Sequence, residues 1–230
     1  MASVFNRIVD FATYIIICSQ NQSCSKIDSR PGFLLAGALA KYQNKDVVLF
    51  SLPRGGMAVG AEISGNLKFP HDIVVVRKIG HPFNPEYAIA AVSESGYLVA
   101  NEKETFRVDE SWLEKAVEDE RLETERRRRE YSEKKLPATI KGKIAIIADD
   151  GLVTGLTIKA SIKEIRALQP KKLIVAVPVA PEETCRNLEK VADKVIVTKR
   201  DKSFRGSIGA YYRNFPQLTD KEVISILGEK

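Results

Sequence analysis

Cysteine is scarce in this chain: Cys18, Cys24 and Cys185 are the only three among 230 residues. An odd number with no Cys-x-x-Cys pair does not build a disulfide scaffold and fits a reducing compartment. Histidine is scarcer, with only His71 and His81, so the ligands for a zinc site or a metal-spaced histidine pair are missing. No Gly-x-Ser-x-Gly elbow occurs, which leaves a serine hydrolase without support. No apolar run reaches the roughly 20 residues of a membrane span. The stretch Phe11–Cys18 follows Asp10 directly and has neither a charged leader nor a small-residue cleavage site. Residues 1–28 are therefore expected to form a peripheral or poorly ordered extension. A cytoplasmic chain with no membrane partner is expected. No repeat of fixed period is present, which argues against solenoids and propellers.

What is present suits a globular α/β protein. Hydrophobic residues make up 44% of the chain and charged residues 29%, with a net charge of +6. That content supports a sizeable core. The basic balance favours anionic partners such as phosphorylated metabolites, nucleic acid or acidic lipid, without choosing among them.

From Ser29 onward short apolar runs alternate with helical patterns. Val47–Phe50, Ile73–Val76, Ile144–Ala148, Leu173–Val179 and Val195–Thr198 read as strands. Helices are expected at about 57–67 and 156–168, from Pro181, and after the capping box Thr219-Asp220-Lys221-Glu222. Ala88–Val92 and Tyr97–Ala100 flank Ser95-Gly96 as a hairpin. Alternation of this kind predicts a three-layer α/β fold, a mostly parallel sheet with helices on both faces. Ligands in such sheets bind beyond the carboxyl ends of the strands. The segment at about 102–135 is different, being mostly charged. Ser111-Trp112-Leu113-Glu114 offers a capping box, and Leu113 with Val117 gives a narrow apolar stripe. One long solvated helical insertion is expected, serving as a cap, a lid or a subunit contact.

The most informative stretch runs from Ile144 to Thr157: a buried strand, then Asp149-Asp150-Gly151-Leu152-Val153-Thr154-Gly155-Leu156-Thr157. Gly151 and Gly155 allow the backbone to approach a ligand closely. Thr154 and Thr157 add hydroxyl donors, and the start of the next helix exposes unpaired N–H groups that favour an anion. Each charge-assisted hydrogen bond contributes roughly 1.5–3 kcal/mol, against about 0.3–1 kcal/mol for the helix dipole, so several such bonds dominate and a phosphate is the natural occupant. The carboxylates repel that phosphate. They can accept hydrogen bonds from vicinal hydroxyls or hold a hydrated Mg²⁺. Hydroxyl acceptors beside a phosphate cradle describe a ribose 5-phosphate. The alternative is that Asp149 and Asp150 only cap the turn.

The run Ile146–Thr157 resembles the signature of type I phosphoribosyltransferases, a hydrophobic strand, Asp-Asp, three small or apolar residues and Thr-Gly-x-Thr. It is not a Walker loop, since no Gly-Lys-Thr ends it. The resemblance covers nearly everything from Ser29 to the end. It is strongest to an uncharacterised branch carrying a Pro-Arg-Gly-Gly loop and an Arg-Lys-Ile-Gly-x-Pro-x-Asn-Pro-Glu segment, here Pro53–Gly56 and Arg77–Glu86. It implies that residues 29–230 form one phosphoribosyltransferase-like domain carrying the charged insertion. Asp149 and Asp150 would hold the ribose 2′ and 3′ hydroxyls, and Gly151, Leu152, Val153, Thr154, Gly155, Leu156 and Thr157 would cradle the 5′-phosphate. No residue is expected to bind metal by itself; Mg²⁺ is expected through the substrate and water near Asp149 and Asp150.

Two further loops fit. Arg54 presents a donor fork and Gly55 and Gly56 expose backbone N–H groups, which suits diphosphate oxygens. By the resemblance they touch the pyrophosphate leaving group; otherwise they form a simple β-α turn. Arg77 and Lys78 follow the second strand and would meet the same diphosphate, or else are solvated surface charge. His81 beside them is an acid or base candidate or an ordinary surface residue. Phe204 and Tyr212, with Arg213 nearby, either pack a flat base or close the core. Arg126–Arg129 suggests an RNA grip, but Glu123, Glu125 and Glu130 blunt the field, and nucleic acid is not expected as a partner.

The resemblance implies a Mg²⁺-dependent transferase that moves a 5-phosphoribosyl group from 5-phosphoribosyl-1-diphosphate to a nitrogenous base or related acceptor and releases pyrophosphate. Arg54, Lys78, Asp149 and Asp150 are the catalytic candidates. Some purine transferases have an acidic residue just before the Thr-Gly; Val153 stands there in this chain, which leaves the acceptor open. The rival reading is a non-catalytic regulator of the same fold that binds the sugar diphosphate or a nucleotide and acts on a partner or RNA. A homo-oligomer is compatible with either.

Overall fold

The computed structural model describes residues 31–131, 140–213 and 218–228. The expected extension at 1–28 lies outside the described residues. Five strands form a wholly parallel sheet in the order β2-β1-β6-β7-β8. They are β1 (Val47–Ser51), β2 (His71–Ile73), β6 (Ile144–Ala148), β7 (Lys172–Pro181) and β8 (Lys194–Asp201). The central strands are buried along their whole length, which is why their sequences are continuous β-branched runs rather than alternating ones.

Side chains of successive strand residues point to opposite faces, and each face has its own core. Val47, Leu49, Ile146, Ala148 and Ile174 pack with Leu35, Leu39, Val59 and Ile63. Those partners come from α1 (Pro31–Leu39) and α2 (Gly55–Leu67). Val48, Phe50, Ala145, Ile147, Leu173 and Val175 pack on the other side with Ile158, Ile162, Cys185 and Leu188. Those belong to α5 (Leu156–Ala167) and α6 (Glu182–Leu188). The result is the expected three layers with helices on both faces. Pro181 closes β7 and caps α6, which therefore starts at Glu182, one residue later than expected. The capping box opening α7 (Asp220–Gly228) is formed: the Glu222 amide donates to Thr219 Oγ1 at 3.3 Å, and the Thr219 amide donates to Glu222 Oε2 at 2.7 Å.

Three sequence expectations are corrected. The run Ile73–Val76 is not one strand. The chain leaves β2 at Ile73 and re-enters order at Val76 as β3 (Val76–His81), which belongs to a second, antiparallel sheet. That sheet is completed by β4 (Asn84–Ser93) and β5 (Leu98–Ala100), the expected hairpin around Ser95-Gly96. The charged insertion is not one helix but a short α3 (Glu102–Thr105) followed by α4 (Glu110–Tyr131); residues 132–139 lie outside the described residues. Its cap is Asp109 rather than Ser111, since Asp109 Oδ1 accepts the Trp112 amide hydrogen at 2.9 Å.

The narrow apolar stripe of α4 has a definite use. Trp112, Leu113, Ala116 and Val117 pack on Ile79, Ala90 and Val92 and so cover one face of the small sheet. Farther along, Tyr131 joins Met57, Ile73, Val75, Val223 and Ile226 in a separate cluster.

Candidate functional site

β1 and β6 are neighbours, and their last residues are in register, Ser51 opposite Ala148. The two loops that follow therefore leave the sheet side by side at its carboxyl edge, tied by the Leu52 amide donating to the Ala148 carbonyl at 3.2 Å. One loop is Leu52-Pro53-Arg54, with a cis peptide between Pro53 and Arg54, and it runs directly into α2. The other begins with Asp149 and Asp150.

The loops touch so closely that only glycine fits on one side. A methyl group placed on Gly55 would lie 1.8 Å from Asp150 Oδ2, and one on Gly56 would lie 2.9 Å from both Asp149 Oδ1 and the Ala148 carbonyl oxygen. Gly55 and Gly56 are thus explained by the carboxylates that face them, whatever else binds there. The structure joins the two loops that the sequence singled out separately.

Asp149 and Asp150 are half-buried. Asp149 Oδ1 accepts the Asp150 amide hydrogen at 2.9 Å. Burial, followed by the charge of Asp150, raises the Asp149 carboxyl well above the usual range; burial also pushes Asp150 up to about 7. Two acids held together against desolvation are favourable only with a partner that accepts their charge or donates to it. Vicinal hydroxyls and a divalent cation both meet that requirement.

The remainder of the loop divides into main-chain and side-chain contributions. Leu152 and Leu156 are buried in the core beneath the sheet, so either can offer a ligand only its backbone. The Leu152 amide is spent on the Val179 carbonyl at 3.0 Å, and the Val153 carbonyl accepts the Thr184 hydroxyl hydrogen at 2.7 Å. Val153 and Thr154 are exposed, Thr157 is half-buried, and Gly151 is buried. Gly155 has φ of 73°, in the left-handed region that a side chain resists, and it caps α5. Its conformation turns the chain into a helix whose first amides have no intrahelical acceptor. Backbone N–H groups at a helix start, with the Thr154 and Thr157 hydroxyls nearby in the chain, are groups that can donate to an anion.

The cations are placed unequally. Arg54 caps α2, and its Nη1 lies 3.9 Å from Asp220 Oδ1. Tyr131 Oη donates to the same Asp220 oxygen. Arg77 and Lys78, expected in a loop after the second strand, instead lie within β3. Arg77 Nε donates to Glu120 Oε2 of α4 at 2.7 Å, and Lys78 Nζ donates to Glu86 Oε2 at 2.9 Å. A continuous apolar run into β3 concealed the change of sheet. His81 ends β3, where its Nδ1 accepts the Phe83 amide hydrogen at 3.3 Å.

The aromatic segment closes core rather than lying open. Tyr211 and Tyr212 are buried with Val179, and Phe204 stacks on Tyr211 at 5.2 Å between ring centres. Tyr212 Oη donates to the Asp150 carbonyl oxygen, a support for the diacid turn that no local sequence signal announces. Arg213 is exposed. In the arginine run, Arg126 is paired with Glu123 and Glu130, and Arg127 with Glu123. Arg128 is buried and bonds the Ile73 carbonyl at 2.9 Å and Asp72 Oδ1 at 3.2 Å. Two of the four arginines are therefore paired with carboxylates along the helix and a third is inside.

Among the described residues no group of three or more His, Cys, Asp or Glu side chains is placed to hold a metal ion, and no helix is long and apolar enough to cross a membrane. The sequence profile of the phosphoribosyl transferase domain matches residues 31–214. Two Mycobacterium tuberculosis proteins, from strains CDC 1551 and H37Rv, carry phosphoribosyl transferase as a provisional name. Each is 35% identical to this chain over 198 residues, 85% of this chain and 44% of the relative. The chain thus spans less than half the length of these relatives. The crystal structure of TT1426 from Thermus thermophilus superposes with a TM-score of 0.70 at 36% identity, covering 86% of this chain and 94% of that one.

Proposed function

Since the chain belongs to the phosphoribosyl transferase domain family, we propose that its carboxyl-edge site transfers a 5-phosphoribosyl group from 5-phosphoribosyl-1-diphosphate to a nitrogenous acceptor, with release of pyrophosphate. The observation that carries this reading is the contact of Gly55 and Gly56 with Asp150 and Asp149. That contact sets the glycine loop against the acid pair, with the start of α5 continuing the second loop, which supports reading them as the diphosphate, sugar and phosphate contacts of one site.

In this reading Asp149 and Asp150 accept hydrogen bonds from the 2′ and 3′ hydroxyls and fix the ribose. The amides of Gly151 and of Val153 to Thr157, with the Thr154 and Thr157 hydroxyls, receive the 5′-phosphate, while the Leu152 amide stays on the Val179 carbonyl. Arg54 and the Gly55 and Gly56 amides face the diphosphate. The bond between ribose C1 and the diphosphate oxygen breaks with its electron pair leaving on oxygen, and the acceptor nitrogen bonds to C1. Positive charge develops on the ring and negative charge on the leaving group, so fixed carboxylates on one side and fixed donors on the other favour the transition state. Arg77 and Lys78 contribute to the diphosphate only if they exchange their present carboxylate partners for it.

The donor set fits Mg²⁺. Two adjacent hard oxygen acids, each destabilised by burial, gain from a divalent cation held through substrate oxygens and water. Bound there, the ion would neutralise charge developing on the diphosphate.

Turnover tests the reading. The chain is incubated with Mg²⁺, 5-phosphoribosyl-1-diphosphate and a panel of nitrogenous bases while pyrophosphate is measured. Acceptor-dependent pyrophosphate release supports a transferase. Tight binding with no release for any acceptor would move the assignment to a non-catalytic sensor of the sugar diphosphate.

A further inference from the structure

At the opposite edge of the parallel sheet, where the strands begin, a cavity of about 520 Å³ is lined by Tyr42, Lys45, Asp46, Lys171 and Lys172, among others. β6 runs five residues from Ile144 at this edge to Ala148 at the diacid edge. At about 3.3 Å per residue, roughly 15 Å of buried strand separates the two sites.

Lysines reach this edge from separate parts of the chain. Lys41 comes from a 3-10 turn after α1, Lys45 from the loop before β1, Lys171 and Lys172 from the start of β7, and Lys194 from the start of β8. Parallel pairing sets these starts side by side, Ile144 opposite Lys172 and Ile174 opposite Lys194. The Lys41 and Lys45 ammonium groups each stand 5.4 Å from the centre of the same buried Tyr42 ring. Lys194 first, then burial, then Lys172 and Lys45, hold Lys41 below the ordinary lysine range.

Like charges brought together repel, and the neighbouring acids do not offset them. Asp193 is already engaged by Arg166 at 2.8 Å and by the Leu173 amide at 2.6 Å. Asp46 is the acid on the cavity wall, against Lys45, Lys171 and Lys172. On α4, by contrast, Arg121, Arg126 and Arg127 all have carboxylate partners. Lys45 leads into β1 and Lys171 and Lys172 into β7, two strands away, so at about 4.8 Å per strand these cations are spread over roughly 10 Å. A single monoanion cannot reach across that span, and a concave seat does not suit a rigid duplex. The geometry points to a second anion site, distinct from the diacid end, that takes a small oligophosphate of two or three linked phosphoryl groups. Lys45, Lys171 and Lys172 are its principal contacts, and the apolar wall at Tyr42 and Ile144 accommodates an attached organic group.

The probe is inorganic tripolyphosphate, titrated calorimetrically at low salt into the full chain and into a Lys45→Gln/Lys171→Gln/Lys172→Gln variant. The native chain is expected to bind at two independent sites. The variant is expected to lose one of them, with affinity there falling about tenfold or more, while binding of ribose 5-phosphate with Mg²⁺ at the diacid end is unchanged. A second measurement needs no variant: tripolyphosphate is expected to protect Lys45 and Lys172 from an amine acylating reagent, read by mass spectrometry, more than it protects Lys103 or Lys115 of the insertion. An isotherm in the folded triple variant that superimposes on the native one, or acylation of Lys45 and Lys172 unaltered by tripolyphosphate, overturns the proposal.

Discussion

The phenolic hydroxyl of Tyr212 donates to the backbone carbonyl oxygen of Asp150, so a residue 62 positions later in the chain holds the turn that carries the acid pair. Tyr212 is itself buried, and burial followed by the charges of Asp150 and Asp149 raises its hydroxyl well above the usual tyrosine range. The hydroxyl therefore remains a donor throughout the physiological range. Tyr212→Phe removes that donor and keeps the ring. Stability is expected to fall by about 1–3 kcal/mol, and affinity for 5-phosphoribosyl-1-diphosphate about fivefold to tenfold, measured by urea unfolding and calorimetry on the same samples.

Gly55→Ala tests the contact between the two loops. The added methyl would occupy the position of Asp150 Oδ2, at 1.8 Å, so the carboxylate must move. A displacement of about 1 Å at a reacting site costs on the order of 100-fold. Pyrophosphate release is expected to fall by about that factor while the circular dichroism spectrum is retained. Activity equal to that of the native chain would show that Asp150 has no fixed position to lose.

The acid pair also makes a pH prediction. Asp150 titrates at about 7 in the folded chain against an ordinary value of 3.8. A raised carboxyl pKa means that the folded state holds the proton more tightly than the unfolded state. The stability this contributes is complete below about 3.8 and is lost as pH rises through about 7. Ionised acids are the ligand-binding form, so affinity for ribose 5-phosphate with Mg²⁺ is expected to strengthen from pH 6 to pH 8. Asp150→Asn is expected to weaken that dependence, leaving the part due to Asp149, and to raise the melting temperature at pH 8, by about 2–4 °C for each kcal/mol relieved. Its advantage over the native chain is expected to vanish at acid pH.

Much of the diacid site was legible because it is contiguous in sequence: strand, acids, glycines and helix start follow one another within Ile144–Thr157. The helical layers were legible from periodicity for the same reason. What stayed hidden depends on partners far along the chain. Val74, Val75 and Val76 continue the apolar character of Ile73 without a break, so nothing marks the passage from the parallel sheet to β3, and Arg77 and Lys78 were expected in a loop. Ser111 and Asp109 are both competent caps, and only the fold selects Asp109. Arg128 looks like its neighbours in sequence, yet Asp72 and the Ile73 carbonyl draw it inward.

That difference within the arginine run is measurable. Arg128 keeps 9% of its side-chain surface exposed and lies 3.5 Å from Glu94 as well as 3.2 Å from Asp72. Arg128→Met leaves two buried acids without their cation and is expected to cost about 3 kcal/mol or more in urea unfolding. Arg126→Gln removes surface pairs with Glu123 and Glu130 and is expected to cost about 1 kcal/mol at most. Equal effects of the two substitutions would contradict the placement of α4.

The most direct measurement is a calorimetric titration of 5-phosphoribosyl-1-diphosphate, with Mg²⁺, into the native chain and into the Asp149→Asn/Asp150→Asn variant. Loss of two charge-assisted acceptors, at roughly 1.5–3 kcal/mol each, is expected to weaken binding by about 100-fold or more in a protein that remains folded. A folded double variant that binds with native affinity would show that the sugar is held elsewhere.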